Sequence, residues 1–374
     1  MRLVINSLCA VAGGAVTHLQ HLVPALVPLL GEDELLVVGN EATRARLALP
    51  SEIRWVDAGD TGQGILSRLR WDSLRLPGLL RDLEADLLFQ PANIAALRVQ
   101  IPQVILIHNV APFLDEIIET ESAYQRLRLR LLRRLTALSI RRAERTIFIS
   151  SWGRRRIEEC LDLEDSGPVI PFGCEHLEKS PATGVLERFG LEAGEFDLTV
   201  SHLYRYKKLE LLIDAHARLG LREPLVLVGA PYDRGYSREL EAHAEGARAR
   251  IVFTGPLGGA EIAELMAACR VFEFSSEAEN LPITLLEAMS RGCAILTNRL
   301  CSMPEVCGDA ALYADPPTAA SYARELERLI GDRKLRARLA DRGRARARSF
   351  RWSETAQRTL DLLREAARSP GRLR

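Results

Sequence analysis

Lysine is nearly missing from this chain. Of its 50 basic residues only four are lysines, Lys179, Lys207, Lys208 and Lys334. In so arginine-rich a background the adjacent pair Lys207-Lys208 stands out. Net charge is missing as well, because 50 acidic residues cancel the 50 basic ones. That argues against a partner held mainly by overall charge, nucleic acid above all. No apolar run approaches the roughly 18 residues of a membrane span. The apolar stretch that follows a first strand at residues 1–6 is broken by Gly13, Gly14 and His18, so no signal peptide is expected. The seven cysteines, Cys9, Cys160, Cys174, Cys269, Cys293, Cys301 and Cys307, are odd in number and scattered. No pair has zinc-ligand spacing and the set does not read as a disulfide framework. Reduced thiols in a cytoplasmic protein are the expectation. There is no internal repeat, and the dinucleotide fingerprint G-x-G-x-x-G is absent.

What is present is enough apolar material for substantial cores. The chain has 374 residues and is 47% hydrophobic, which suits two or three domains of ordinary size. Short apolar runs alternate with longer helical periods. Strands are expected at 3–6, 35–38, 87–89, 104–108, 146–150 and 169–172. A second set is expected at 198–201, 225–228, 251–253, 271–274 and 294–297. Alternating strand and helix implies parallel sheets covered on both faces. A polar stretch at 173–194, with Gly184, Gly190 and Pro181 and no strand signal, reads as the connection between two Rossmann-like domains. The arginine-rich run 342–348 reads as a solvated helix face.

The densest chemistry lies at residues 275–289, SSEAENLPITLLEAM. Glu279 sits where the strand 271–274 gives way to a helix, and Glu287 lies inside that helix. Pro282 is expected in the first helical turn, where a missing N–H costs nothing. Open α/β sheets bind ligands beyond the C-terminal ends of their strands. A helix N-terminus there suits a phosphate. An ionised carboxylate beside it accepts several O–H donors, as a sugar presents. The combination fits a nucleotide sugar. For an isolated pair, solvated charges favouring the helix dipole would be the plainer reading.

The surrounding residues support the sharper one. The run 288–297, AMSRGCAILT, then Pro304-Glu305-Val306, Gly308 and 310–313, AALY, continue the same pattern. The whole segment resembles the paired-glutamate motif of the retaining glycosyltransferases of family 4. That resemblance implies an α/β protein of the GT-B fold, with two Rossmann-like domains facing each other across a cleft and a C-terminal helix returning to the N-terminal domain. The corresponding division is 1–175 for the acceptor, 176–350 for the nucleotide sugar, and 351–374 for the returning helix.

Other segments extend the resemblance. Residues 200–208, VSHLYRYKK, follow the first strand of the second domain and resemble the family's phosphate-binding segment. Its lysine maps to Lys207. The family more often has Arg where this chain has His202, and Arg205 could supply that guanidinium. Gly13-Gly14-Ala15 resembles the glycine-rich loop that approaches the donor phosphate. His108-Asn109 stands where the family often has His-Asp, and Asn109 is a departure. Ser150-Ser151 reads mainly as a helix cap. The resemblance implies that Glu287 binds the ribose, and that Glu279 with the amides of Asn280 and Leu281 holds the donor sugar. Lys207 and Arg205 would meet charge on the leaving diphosphate, and His108 would bond a sugar hydroxyl or orient the acceptor.

No cofactor is expected beyond the donor substrate, and no divalent metal. The compact acidic run Asp162-Leu163-Glu164-Asp165 is remote from every donor motif. The expected reaction is retaining transfer of a hexosyl group to a glycan, a lipid-linked or a small-molecule acceptor, in cell-envelope polysaccharide synthesis. A sugar-nucleotide epimerase and a non-catalytic nucleotide-sugar-binding subunit are the alternatives. The segment 124–145 carries eight arginines interleaved with leucines. It reads equally as a core helix with a solvated arginine face and as a basic amphipathic helix on anionic membrane, which would put the protein on the inner face.

Overall fold

The computed structural model describes residues 1–11, 13–61, 64–177 and 182–369, so Lys179 and Pro181 lie outside it. The chain divides into two compact units, Met1–Gly173 joined by Trp352–Arg374, and Cys174–Arg351.

The first unit is built on β1 (Arg2–Asn6), β2 (Glu34–Gly39), β3 (Arg54–Asp57), β4 (Leu87–Gln90), β5 (Gln103–Ile107) and β6 (Arg145–Phe148). The second holds β7 (Asp197–Val200), β8 (Leu225–Val228), β9 (Ile251–Gly255), β10 (Val271–Glu273), β11 (Ile295–Asn298) and β12 (Ala311–Ala314). Every pairing is parallel. Each central strand is a short apolar run buried on both faces, as parallel sheets require.

The strand orders are β3-β2-β1-β4-β5-β6 and β12-β11-β10-β7-β8-β9. Numbered within its own unit, the second order is the first one read from the other edge. Each sheet therefore reverses direction once, between β1 and β4 and between β7 and β10. At such a switch point the connecting loops run to opposite faces and leave a crevice at the strands' C-terminal ends. The loops after β7 and β10 are 201–208 and 274–282, the two segments singled out from the sequence.

Two strands were not expected. β3 has only Trp55 and Val56 as apolar residues and lies at a sheet edge, where one-sided burial weakens the pattern. β12, ALYA, is an edge of the second sheet, and alanine carries little strand preference. The strand expected at 169–172 reduces to one bridge, Val169 with Phe148. Ile170 N–H still bonds Phe148 O, but Pro171 has no N–H with which to continue the ladder.

The helix Trp352–Arg368 belongs to the first unit. Its apolar residues recur at helical spacing, and Trp352, Ala356, Leu360, Leu363 and Ala366 are buried. Arg364 bonds Asp33 and the carbonyls of Leu29 and Leu30, and Thr355 bonds the carbonyl of Pro171.

Candidate active site

In the second unit the site grows out of the switch point. The loop after β7 tightens into a 3-10 turn, Arg205–Lys207, closed by Lys208 at φ +50°. Few residues with a side chain adopt that backbone. The loop after β10 is tied to it: Glu277 N–H donates to Tyr206 O at 2.8 Å, and Ser275 Oγ donates to Lys207 O at 2.7 Å. Behind them Asn298 Nδ2 donates to Ser276 O. Gly229, after β8, lies so close that a Cβ there would stand 1.9 Å from Ser201 O, so only glycine lets these loops meet.

This scaffold brings Lys207 against the paired-glutamate segment. Its Nζ lies 2.5 Å from Glu279 Oε1, and the two side chains are 14% and 13% exposed. The ammonium also sits over the rings of Tyr206 and Phe274, at 5.2 and 5.4 Å. Aromatic faces attract a cation there and help hold it in place. Asn280 and Leu281 are buried beside Glu279. Pro282 is the N-cap of the helix Ile283–Ser290, one step earlier than expected. Glu287 falls in the second turn of that helix, and its Oε1 lies 2.9 Å from His176 Nε2.

Arg205 is placed differently. Its half-exposed guanidinium lies 2.7 Å from Glu239 and 5.3 Å from the Tyr236 ring centre, both on the helix Arg234–Gly246. Lys207 and Lys208, not Arg205, meet residues 275–289, with Lys208 Nζ 3.6 Å from Glu277. His202 lies edge-on to Tyr232 at 4.7 Å, and burial together with Lys207 lowers its pKa.

In the first unit, Gly13 caps the helix Gly14–Leu26 at φ 58°, ψ −142°, a conformation that essentially only glycine adopts. That helix carries His18, which is fully buried and stacked on Phe172 at 4.3 Å. Neither His18 ring nitrogen has a hydrogen-bond partner among the described residues. Its ring centre is 5.2 Å from that of His108. Burial lowers the His108 pKa to about 4, so at neutral pH the ring offers one donor and one acceptor and no charge. The loop after β5 is organised by Asn93, whose Oδ1 accepts from the N–H groups of His108 and Asn109. Asn109 Oδ1 accepts from Ala111 N–H, so the residue that departs from the family's aspartate closes a local turn. Ser150 caps its helix, accepting from Gly153 N–H.

One group among the described residues has metal-ligand spacing: Asp197, His216 and Glu273, all fully buried. Its positive charge is already supplied. Arg270 donates to both Asp197 oxygens at 3.0 and 2.7 Å, and His216 Nε2 lies 2.7 Å from Glu273. Burial opposes charge on His216, but the Glu273 and Asp197 carboxylates outweigh it and raise its pKa. The cluster is an internal ion network that joins β7, β10 and the helix Leu209–Leu219.

Sequence reasoning passed over His18, His176 and this network. An isolated histidine carries no local signal, and these partners come from distant segments.

Comparison with known proteins agrees with this geometry. Residues 191–346 match the Glycosyl transferases group 1 and residues 12–175 match Glycosyltransferase Family 4. The serotype-specific mannosyltransferase WbdA of Escherichia coli is 29% identical over 199 residues, 52% of this chain and 24% of that protein. The O-antigen chain mannosyltransferase B of Escherichia coli is 28% identical over 196 residues, 50% of this chain and 51% of that protein. The chain thus spans about a quarter to a half of these relatives' length. Among solved structures, Anabaena HepE in complex with UDP-glucose superposes with a TM-score of 0.78 at 19% identity, covering 98% of this chain and 100% of that one. With both units matched in order and both sheets wound alike, the chain belongs to the family 4, group 1 glycosyltransferases and has the GT-B fold.

Proposed function

We propose that the chain is a retaining glycosyltransferase. It moves a hexosyl group from a nucleotide-diphosphate sugar to a glycan, a lipid-linked or a small-molecule acceptor in cell-envelope polysaccharide synthesis. The observation that carries this reading is the Lys207–Glu279 pair at the second unit's switch point, beside the helix that presents Glu287. The names of the relatives, two mannosyltransferases and a protein held with UDP-glucose, support the same direction.

In this reading the second unit binds the donor and the first binds the acceptor. Glu287 takes the ribose hydroxyls. Glu279 with the amides of Asn280 and Leu281 takes the sugar, and Gly13 and Gly14 let backbone approach it. Neutral His108 bonds a hydroxyl. Lys207 meets the charge that grows on the departing diphosphate, which is electrostatic stabilisation by a cation already in place. Supplying that charge by a lysine makes a divalent metal unnecessary. The test is transfer by the purified protein from a panel of UDP-, GDP-, ADP- and dTDP-sugars to envelope glycan acceptors, with EDTA present. Acceptor-dependent product with the donor's anomeric configuration is expected. Activity lost to chelator and restored by Mg²⁺ or Mn²⁺ would refute the metal-free site. Donor converted without acceptor would point to an epimerase, and no turnover with any donor to a silent binding subunit.

A peripheral position on the inner membrane face is part of the proposal. No described helix is long and apolar enough to cross a membrane. The helix Ala123–Arg142, however, carries seven arginines and no acidic residue. Its outer face presents Tyr124 and Leu127, 75% and 70% exposed, with Leu131 and Leu138 continuing the stripe at helical spacing. The exposed residues Arg126, Arg128, Arg130, Arg134, Arg141 and Arg142 flank that stripe. An apolar stripe between arginines suits an anionic lipid surface, which takes the leucines below the headgroups and the guanidinium groups among them. Cosedimentation with anionic vesicles should exceed that with neutral ones and weaken with salt. Equal binding to both vesicle types would remove the membrane from this reading.

A further inference from the structure

We infer that His176 is a positioning residue for Glu287: its imidazole N–H holds one carboxylate oxygen so that the other is presented to the donor's ribose. The inference rests on the donor reading above.

Glu287 has a long side chain, and ordering such a chain costs rotamer freedom. Preordering it in the free protein removes that cost from the binding step. The structure contains the device. His176 Nε2 lies 2.9 Å from Glu287 Oε1, across 111 residues of chain, with the two side chains 10% and 14% exposed. An ionised carboxylate only accepts, so Nε2 carries the hydrogen in this bond. Glu287 Oε2 makes no hydrogen bond among the described residues.

The short turn that carries His176, Glu175–Leu177, is itself fastened to the helix of Glu287. Arg291, that helix's C-cap, donates from Nη1 to Leu177 O at 3.1 Å and from Nε to Ala263 O at 3.2 Å. Leu177 is buried, and Cys174 N–H bonds Phe350 O. The imidazole and the carboxylate are therefore held to one frame from two sides. Nothing in the paired-glutamate segment announces this residue.

The experiment compares a nucleoside diphosphate with its 2′-deoxy counterpart. UDP, GDP and ADP are titrated calorimetrically, and the tightest is carried forward with its deoxy form. His176→Phe keeps a planar ring and removes the donor. It should weaken the ribonucleotide about 5–10-fold and the deoxynucleotide much less, as loss of one good hydrogen bond in the ribose contact would. His176→Gln, which keeps an N–H, should recover part of the discrimination. Glu287→Gln is the separate control on the donor reading and should also lower the ribo/deoxy ratio. If it does so and His176→Phe does not, the positioning role is wrong and the ribose assignment stands. If Glu287→Gln leaves the ratio unchanged, the ribose assignment itself fails. Equal weakening of both nucleotides by His176→Phe would make the residue merely structural. Should His176→Phe not fold, His176→Ala carries the same comparison: a lowered ribo/deoxy ratio supports the role, and an unchanged ratio overturns it.

Discussion

Replacing Lys207 by alanine should slow sugar transfer by roughly 10²–10³-fold, the usual cost of removing one preorganised stabiliser of developing charge. The donor's diphosphate leaves with more negative charge than it carried when bonded to the sugar. A cation at that point stabilises the transition state more than the bound substrate, so the loss should appear in kcat. In the free protein Lys207 is paired with Glu279 and flanked by Tyr206 and Phe274. That pairing keeps the ammonium in place before the donor arrives, and the diphosphate then competes for it. The turn around Lys207 is held through backbone atoms, by Ser275 Oγ on Lys207 O and by Tyr206 O accepting from Glu277 N–H. The alanine variant should therefore keep its shape, with a small loss of stability from the less well-paired Glu279. Rate at saturating donor and thermal midpoint, measured together, separate the two effects. A rate within about threefold of wild type would make Lys207 an ordinary lysine, because losing one such donor ordinarily costs far more. A slow variant that is also partly unfolded under assay conditions would deny the catalytic role.

Replacing Arg270 by methionine should destabilise the second unit by about 3–5 kcal/mol, the range for removing one partner of a buried ion pair. Asp197 is fully buried, and Arg270 bonds both of its oxygens and approaches Glu223 at 3.6 Å. Without the guanidinium, Asp197 keeps as partner among the described residues only His216, 3.6 Å away and shared with Glu273, and an under-paired buried carboxylate is costly. Asp197 and Val271, the residue after Arg270, pair directly in the sheet. The damage should therefore concentrate at β7 and β10, the strands that frame the donor loops. Hydrogen exchange followed strand by strand in denaturant is the appropriate readout, since a two-unit chain has no single unfolding free energy. Loss of protection confined to the second unit is expected. Adding Asp197→Leu should restore part of it, because replacing both charges leaves neither buried alone. A change below about 1 kcal/mol on Arg270→Met would show that the network is solvated in solution.

The sequence by itself determined the inner strands and the family's motif segments. The inner strands are near-continuous apolar runs, a local property visible in any window. Lys207, Glu279 and Glu287 sit in segments with a recognisable order of residues, and the serine cap at Ser150 follows from its side chain alone. The edge strands β3 and β12 escaped because half-exposed or alanine-rich stretches lack that local signal. The tertiary structure alone decided which side chains meet. Lys207 reaches Glu279 across 72 residues, Arg270 reaches Asp197 across 73, and His176 reaches Glu287 across 111. It turned Arg205 to Glu239, and stacked His18 on Phe172 beneath His108. The physical reason is that periodicity reports only which face of an element is buried. Side-chain partners across a sheet follow from strand order, and the reversal between β7 and β10 that brings Lys207 to Glu279 is a property of the crossover connections between the strands.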